Sequence, residues 1–288
     1  MVKNLSLCLI VKNEEVNIQD CIESFKSIVG EIIVLDTGSI DKTKTLAHEN
    51  GASVFDFEWK GSFAEARNKC LEYVKTDWCI FVDADERLEK WNHECLLRVM
   101  AQGDIISVNV KTSNENIEKV KLWKVNKGYK YVLPVHEFLN VSNQKIHFLE
   151  SLVVKNKSFM QSNKLFESRK KYIETLELYI EDTDDYIDRC YFYLCADSFF
   201  VEDYERSYQY GTKYISLNMP RSYFLGKIYY YMSEIELMNG NAIIAKKYIE
   251  KAYDILGELK ILHEVYSHIL YTMGDVKESV KYFKKLNE

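Results

Sequence analysis

No Cys-x-x-Cys pair occurs among the seven cysteines of this 288-residue chain, which argues against a structural zinc site. The thiols are scattered, and Cys8, Cys70 and Cys79 fall on apolar faces, so they read as free, buried thiols of a reducing compartment. No apolar run approaches the ~18 residues of a membrane-spanning helix. The chain opens Met-Val-Lys-Asn and passes straight into a strand-like run without the apolar stretch of a signal peptide, so a cytoplasmic location is expected. Basic excess is missing as well: the formal net charge is −6, which excludes a general nucleic-acid footprint. Prolines are only two, Pro134 and Pro220. What is present is a soluble globular composition, 47% hydrophobic and 28% charged, in a chain long enough for one large domain or two ordinary ones. The 21 tyrosines gather in the C-terminal half and read as helix-packing residues rather than stacking platforms.

The chain is organised around Trp78-Cys-Ile-Phe-Val-Asp-Ala-Asp-Glu-Arg-Leu88. Trp78 to Val82 is an apolar run of buried-strand length that ends in two acids, Asp83 and Asp85. Such a strand delivers its acids to the carboxyl edge of a sheet, where open α/β folds bind ligands. Two neighbouring carboxylates repel, and a cation such as Mg²⁺ or Mn²⁺ would relieve them. The expectation is a metal-bridged nucleotide-diphosphate site; the plainer alternative is a solvated turn. A second Asp-x-Asp, Asp182-Thr-Asp184, has no apolar strand before it and lies among other acids, as an exposed acidic loop would.

Around that stretch, strands and helices alternate. Leu5–Val11, Glu31–Leu35 and Ala52–Phe57 read as strands, and Ile18, Ile22 and Phe25 repeat at helical spacing after a helix cap at Asn13. Asp41 suits the cap of a second helix, and Phe63 to Val74 marks a third. Alternation at these intervals predicts a parallel, doubly wound sheet. The first strand lacks a glycine fingerprint, which disfavours a dinucleotide fold. Arg67 falls on the helix face that packs on the sheet and needs an anionic partner, either a structural carboxylate or a ligand phosphate. Asp104–Lys111, Glu118–Val125, Tyr129–Leu139 and Lys145–Val154 also read as strands, with a polar turn at 112–116.

Four segments in order, Leu7-Cys-Leu-Ile-Val-Lys-Asn-Glu-Glu15, Glu31-Ile-Ile-Val-Leu-Asp-Thr-Gly-Ser-Ile-Asp-Lys-Thr43, Phe63-Ala-Glu-Ala-Arg-Asn68 and Phe81-Val-Asp-Ala-Asp-Glu86, resemble a family 2 glycosyltransferase with the GT-A fold. The resemblance covers the chain to about residue 155 and implies a GT-A, Rossmann-like mixed sheet over 1–155. It implies a nucleoside contact at Val11 and Glu14, and Asp36 accepting a hydrogen bond from uracil. Arg67 would lie near the diphosphate, Asp83 and Ala84 on the ribose and sugar side, and Asp85 on the metal, Mn²⁺ or Mg²⁺. No terminal Glu-Asp pair follows. Val135-His-Glu137 is the substitute, with His136 completing the metal shell and Glu137 as base; the plainer reading is a hydrogen-bonded strand histidine beside an exposed acid. The implied activity is inverting transfer of a hexose from a UDP-sugar.

From 156 to 288 the pattern turns helical, after a polar linker-like segment at 155–164. Asp203 to Tyr210, Asn241 to Tyr248 and Asp275 to Tyr282 align at spacings of 38 and 34 residues, with small residues at 207, 245 and 279 and glycines at 240 and 274. This resembles divergent tetratricopeptide repeats, an all-α domain that would bind a peptide, protein or saccharide acceptor or form a homodimer. The pairing of domains is similar to bacterial peptide and surface-glycan glycosyltransferases. Two rival readings stand beside it: a non-catalytic repeat scaffold with a degenerate first domain, and a nucleotidyltransferase. The second lacks the glycine- and basic-rich loop that a triphosphate needs.

Overall fold

The structure is a computed structural model that describes residues 2–112, 115–141, 144–157 and 162–286, with backbone alone at 162 and 163. The chain divides into two compact units with the boundary after Met160.

The first unit runs β1 (Val2–Val11), α1 (Ile18–Phe25), β2 (Val29–Asp36), α2 (Thr43–Glu49), β3 (Ser53–Asp56), α3 (Phe63–Leu71), β4 (Trp78–Phe81), β5 (Glu86–Lys90), α4 (His93–Gln102), β6 (Ile105–Lys111), β7 (Asn116–Lys124), β8 (Lys130–Val132), β9 (Phe138–Asn140) and β10 (His147–Asn156). Eight strands form one sheet in the order β3-β2-β1-β4-β7-β6-β10-β5. The expected parallel pairing holds for β3, β2, β1 and β4. Beyond β4 the sheet is mixed: β7 is antiparallel to both β4 and β6, and β5 is antiparallel to β10. The cause is local, because β6 and β7 are joined directly and a short connection can only return antiparallel. The segment 129–139 is not one strand. It folds into β8 and β9, a separate two-stranded sheet. The strand β5 and helix α4 were not anticipated at all. Part of the polar turn, 113–114, and part of the linker, 158–161, lie outside the described residues.

Alternation along β1 divides the core. Leu5, Leu7, Leu9 and Val11 join one cluster with α1 and α4 residues, while Cys8 joins Ile33, Leu35, Ala66, Cys70, Phe81 and Trp123 on the other face, beneath α3. Helix α1 buries Ile18, Cys21, Ile22 and Phe25, one stripe at helical spacing. Its start differs from expectation: Asn13 is not the cap but a left-handed residue (φ +56°), and the helix begins four residues after Glu14, whose carbonyl accepts the Ile18 N–H. All seven cysteines are free thiols and six are buried.

The second unit contains α5 (Ser162–Asp182), α6 (Ile187–Phe200), α7 (Tyr204–Ser216), α8 (Tyr223–Met238), α9 (Ala242–Leu256), α10 (Lys260–Thr272) and α11 (Val276–Lys284), each packed on the next. The repeat is real in three dimensions. Asp203, Asn241 and Asp275 each precede a helix, and their N–H groups bond back to the carbonyls of Ser198, Glu236 and Leu270 at 2.8 to 2.9 Å. Ser207, Ala245 and Ser279 are buried at the helix crossings, and the hydroxyls of Ser207 and Ser279 donate to the carbonyls of Cys195 and Ser267, both at 2.9 Å. The residue before each cap is left-handed: Gly240 (φ +78°), Gly274 (φ +85°) and, in the first copy, Glu202 (φ +63°). Asp182 and Asp184 are exposed, as the acidic-loop reading requires. No helix among the described residues is long and apolar enough to cross a membrane.

A side chain with a Cβ is strained in the left-handed region, where glycine is not. Glu202→Gly should therefore stabilise the fold by about 1 kcal/mol, seen as a higher urea midpoint at unchanged slope. A lower midpoint would mean that the Glu202 side chain itself holds the turn.

Candidate functional site

Parallel pairing places Val11 opposite Asp36, so β1 and β2 end level at the carboxyl edge. The Val11 carbonyl accepts both the Thr37 N–H (2.9 Å) and the Thr37 hydroxyl (3.1 Å). Asp36 is only 1% exposed. Its Oδ1 accepts the N–H groups of Gly38 (3.0 Å) and Ser39 (2.8 Å), the side-chain turn that a short acid can make with its own backbone. Its Oδ2 is buried without a hydrogen-bond partner among the described residues. The loops after β1 and β2 are laced together: Asn13 accepts from the Ile40 N–H and the Glu14 N–H donates to the Thr43 hydroxyl at 2.7 Å. The Glu14 carboxylate accepts from Asn17, so this residue builds the loop.

Alternation also explains where Asp83 goes. Phe81 lies on the α3 face and Val82 on the other, so Asp83 returns towards α3. There Arg67, one turn into a helix capped by Ser62, reaches it: Nη2 donates to Asp83 at 2.8 Å, and Nε donates to Glu137, also at 2.8 Å. The guanidinium stacks 4.8 Å from the Phe81 ring centre and 5.3 Å from that of Tyr131. Of the two partners open to Arg67 in the sequence, the fold supplies carboxylates. Burial opposes the charge on Arg67, but Asp83 and Glu137 override it and hold the guanidinium protonated well above its usual range. Burial likewise pushes the Asp83 carboxyl up, and Arg67, with Lys121 further off, outweighs it and keeps Asp83 well below the usual carboxylate range. The repulsion expected between Asp83 and Asp85 is thus met within the protein on the Asp83 side, and by itself it does not demand an ion.

The neighbour of Arg67 completes the joint. The Asn68 side chain donates to the Tyr131 carbonyl (2.9 Å) and accepts the Tyr131 N–H (2.8 Å), while the Phe63 N–H donates to the Pro134 carbonyl (2.7 Å). Helix α3 thereby fixes the segment that carries His136 and Glu137. That segment is strained: Leu133 (φ +68°) and His136 (φ +53°) are both left-handed without being glycine. Strain of this kind concentrates at ligand and catalytic sites.

A family model described as glycosyl transferase family 2 matches residues 6–176. The chain belongs to glycosyl transferase family 2. Among its relatives, a TPR repeat-containing protein of Synechococcus elongatus is 32% identical over 146 residues, covering 48% of this chain and 36% of that one. The glycosyltransferase SunS of a Bacillus subtilis prophage is 36% identical over 107 residues, covering 36% of this chain and 25% of that one. The matches thus span between a quarter and little more than a third of these relatives' own lengths. Among solved structures, Staphylococcus aureus TarS 1–349 in complex with UDP aligns over 96% of this chain and 91% of that one, at 12% identity and a TM-score of 0.45. The first unit of this family 2 protein is a GT-A domain, and the second is a helical-repeat array.

The fold brings Arg67, Asp83 and Glu137 into direct contact and sets Asp36 and Val11 side by side at the neighbouring strand ends. No three His, Cys, Asp or Glu side chains converge as a ready metal cage among the described residues. Asp85 carries a carboxylate and His136 an imidazole, donor types that Mn²⁺ accepts beside phosphate oxygens and water.

Two positioning residues escaped the sequence reading. Glu86, 1% exposed, accepts the Asp83 N–H (2.9 Å) and pairs with Lys121 at 2.6 Å. Arg87 is buried and donates to the carbonyls of Ala84 (2.7 Å), Glu86 (2.9 Å) and Asn17 (2.8 Å), clamping the turn between the two acids from behind. The Asp85 carbonyl accepts the Lys157 N–H at 2.9 Å. For Glu86 the signal was Lys121, a basic residue with apolar neighbours in β7, which tertiary pairing alone interprets.

Removing one member of a buried ion pair strands the other. Lys121→Met should therefore destabilise the first unit by about 3–5 kcal/mol, and the double change Lys121→Met with Glu86→Gln should recover much of that loss. Urea denaturation of the two variants against the parent measures it; equal loss in the single and double variants would show that the pair is not coupled.

Proposed function

We propose that the chain is a hexosyltransferase that moves a sugar from a nucleoside-diphosphate donor, with UDP as the nucleotide, to a peptide, protein or saccharide acceptor. One observation carries the reading: in a family 2 chain, a single largely buried guanidinium holds Asp83 and Glu137, from separate elements, at 2.8 Å each. Such a fork fixes an acid for the donor side and an acid for the acceptor side in one frame, which is the positioning that displacement requires. A degenerate scaffold has no reason to maintain it.

In this mechanism Val11 and Glu14 border the nucleoside, and the unpartnered Oδ2 of Asp36 accepts the uracil imide N–H. Asp83, kept ionised by Arg67, accepts from ribose or sugar hydroxyls beside Ala84. Glu137 takes the proton from the acceptor as its nucleophile bonds to the anomeric carbon and the bond to the diphosphate breaks, with inversion. Asp85 and His136 would hold the divalent ion, Mn²⁺ or Mg²⁺, which when bound neutralises charge on the departing diphosphate. Arg67 adds fixed positive charge to the same edge. The helical repeats serve the acceptor side or a homodimer.

Calorimetric titration of UDP with and without Mn²⁺ tests the donor half of this reading. Metal-dependent binding is expected, and its absence would favour a scaffold. Asp85→Asn should abolish metal-dependent donor hydrolysis with little change in melting temperature; retained hydrolysis would remove Asp85 from the metal role. Arg67→Ala should weaken UDP more than uridine, whereas equal loss of both would make Arg67 purely structural. Glu137→Gln should lower turnover roughly 10²-fold or more at nearly constant UDP affinity, and unchanged turnover would exclude it as the base.

A further inference from the structure

Two of the positions at which the first helical repeat departs from its sister copies meet in one cavity. Asp197 on α6 stands where the other copies place Ile235 and Ile269, which are 3% and 0% exposed. It is itself 1% exposed and pairs with Arg169 of α5 at 2.5 Å. An ion pair at an apolar core position is no more stable than the hydrophobic residues it replaces, so stability does not account for it. Glu202 stands where the others have Gly240 and Gly274, and keeps a left-handed backbone that glycine would hold without strain. Both residues line a cavity of about 400 Å³ within the helical unit, together with the aromatic residues Phe199, Phe200, Tyr204 and Tyr231. Sites that break their own repeat pattern at a cost in stability are where function is to be sought.

The lining chooses the ligand class. Arg169 and Asp197 neutralise each other at the buried end of the cavity, and the one charge left, Glu202, is exposed and disfavours an anion. Mixed donors and acceptors above aromatic faces suit a neutral ligand that carries both hydroxyl groups and an apolar C–H face. A cavity of this size, at the small end of ligand sites, suits one or two rings. We propose that this cavity is a saccharide-binding subsite that takes a pyranose ring of a neutral oligosaccharide. It lies entirely within the second unit and does not depend on the transfer reaction assigned to the first.

The test uses the full chain and neutral trisaccharides of glucose, galactose and N-acetylglucosamine, followed by saturation-transfer NMR and calorimetry, with tri-lysine as a comparison. At least one trisaccharide is expected to bind. The triple variant Arg169→Leu, Asp197→Ile and Glu202→Gly restores an apolar repeat, so it should melt at or above the parent temperature yet bind roughly tenfold more weakly or worse. Phe200→Ala, at a rim position 44% exposed, should weaken binding without unfolding the chain. UDP affinity should be unchanged in both variants, which separates this outcome from any failure of the donor site. Absence of saccharide binding, binding that both variants retain in full, or binding of tri-lysine alone would each overturn the proposal.

Discussion

A single guanidinium ties together the parts that would have to cooperate. Arg67 sits on α3, its carboxylate partners sit after β4 and after the strained 133–136 loop, and two aromatic rings cover its plane. A buried cation cannot be left unmatched, so the loop that carries Glu137 is held to α3 by electrostatics as well as by the Asn68 amide. The polar joint thereby fixes geometry that β8 and β9, three residues each and apart from the main sheet, could not fix alone.

Behind it lies a second polar layer. The turn from Asp83 to Asp85 exposes backbone groups at the edge of a sheet, and each needs a partner. Glu86 takes the Asp83 amide, Arg87 takes the Ala84 carbonyl, and the chain after β10 returns to take the Asp85 carbonyl. Lys121 balances Glu86 from β7. The mixed pairing beyond β4 thus has a role at the site: the antiparallel strand next to β4 is what carries the balancing lysine to the turn.

The parts of this arrangement that were legible in the sequence share one property: they follow from local pattern. The apolar runs of β1, β2 and β4 announce buried strands, and the acids at their ends follow by position alone. The helical stripe of α1, the small residues of the repeats and the left-handed glycines before two of the three caps are likewise local. What stayed hidden depends on which strand neighbours which. Strand β5 is short, and its outer half, Glu89 and Lys90, is exposed, so it carries no apolar signature. The segment 129–139 has the apolar content of a strand, and only the left-handed turn at 133–136 shows that it folds back on itself. Asn13 matches a helix cap by type, yet its side chain is used across the gap by the Ile40 amide, a long-range competitor that spacing does not reveal. The partner of Arg67 was an open choice between ligand and protein for the same reason.

The two units use polar burial in opposite ways. In the first, buried charges are shared among several partners, so that no group at the sheet edge is free to drift. In the second, Glu236 is buried against the Tyr208 hydroxyl and the Asn241 amide, whereas the position that holds Asp197 in the first copy, paired with Arg169, is isoleucine in the other two, Ile235 and Ile269. A repeat supplies its own control: the same fold, in the same chain, solved twice with isoleucine and once with aspartate. The first copy packs on α5, which supplies Arg169, and the other two pack on α7 and α9. The exception is confined to a cavity with aromatic walls, and that confinement is what turns a departure from pattern into an argument about binding.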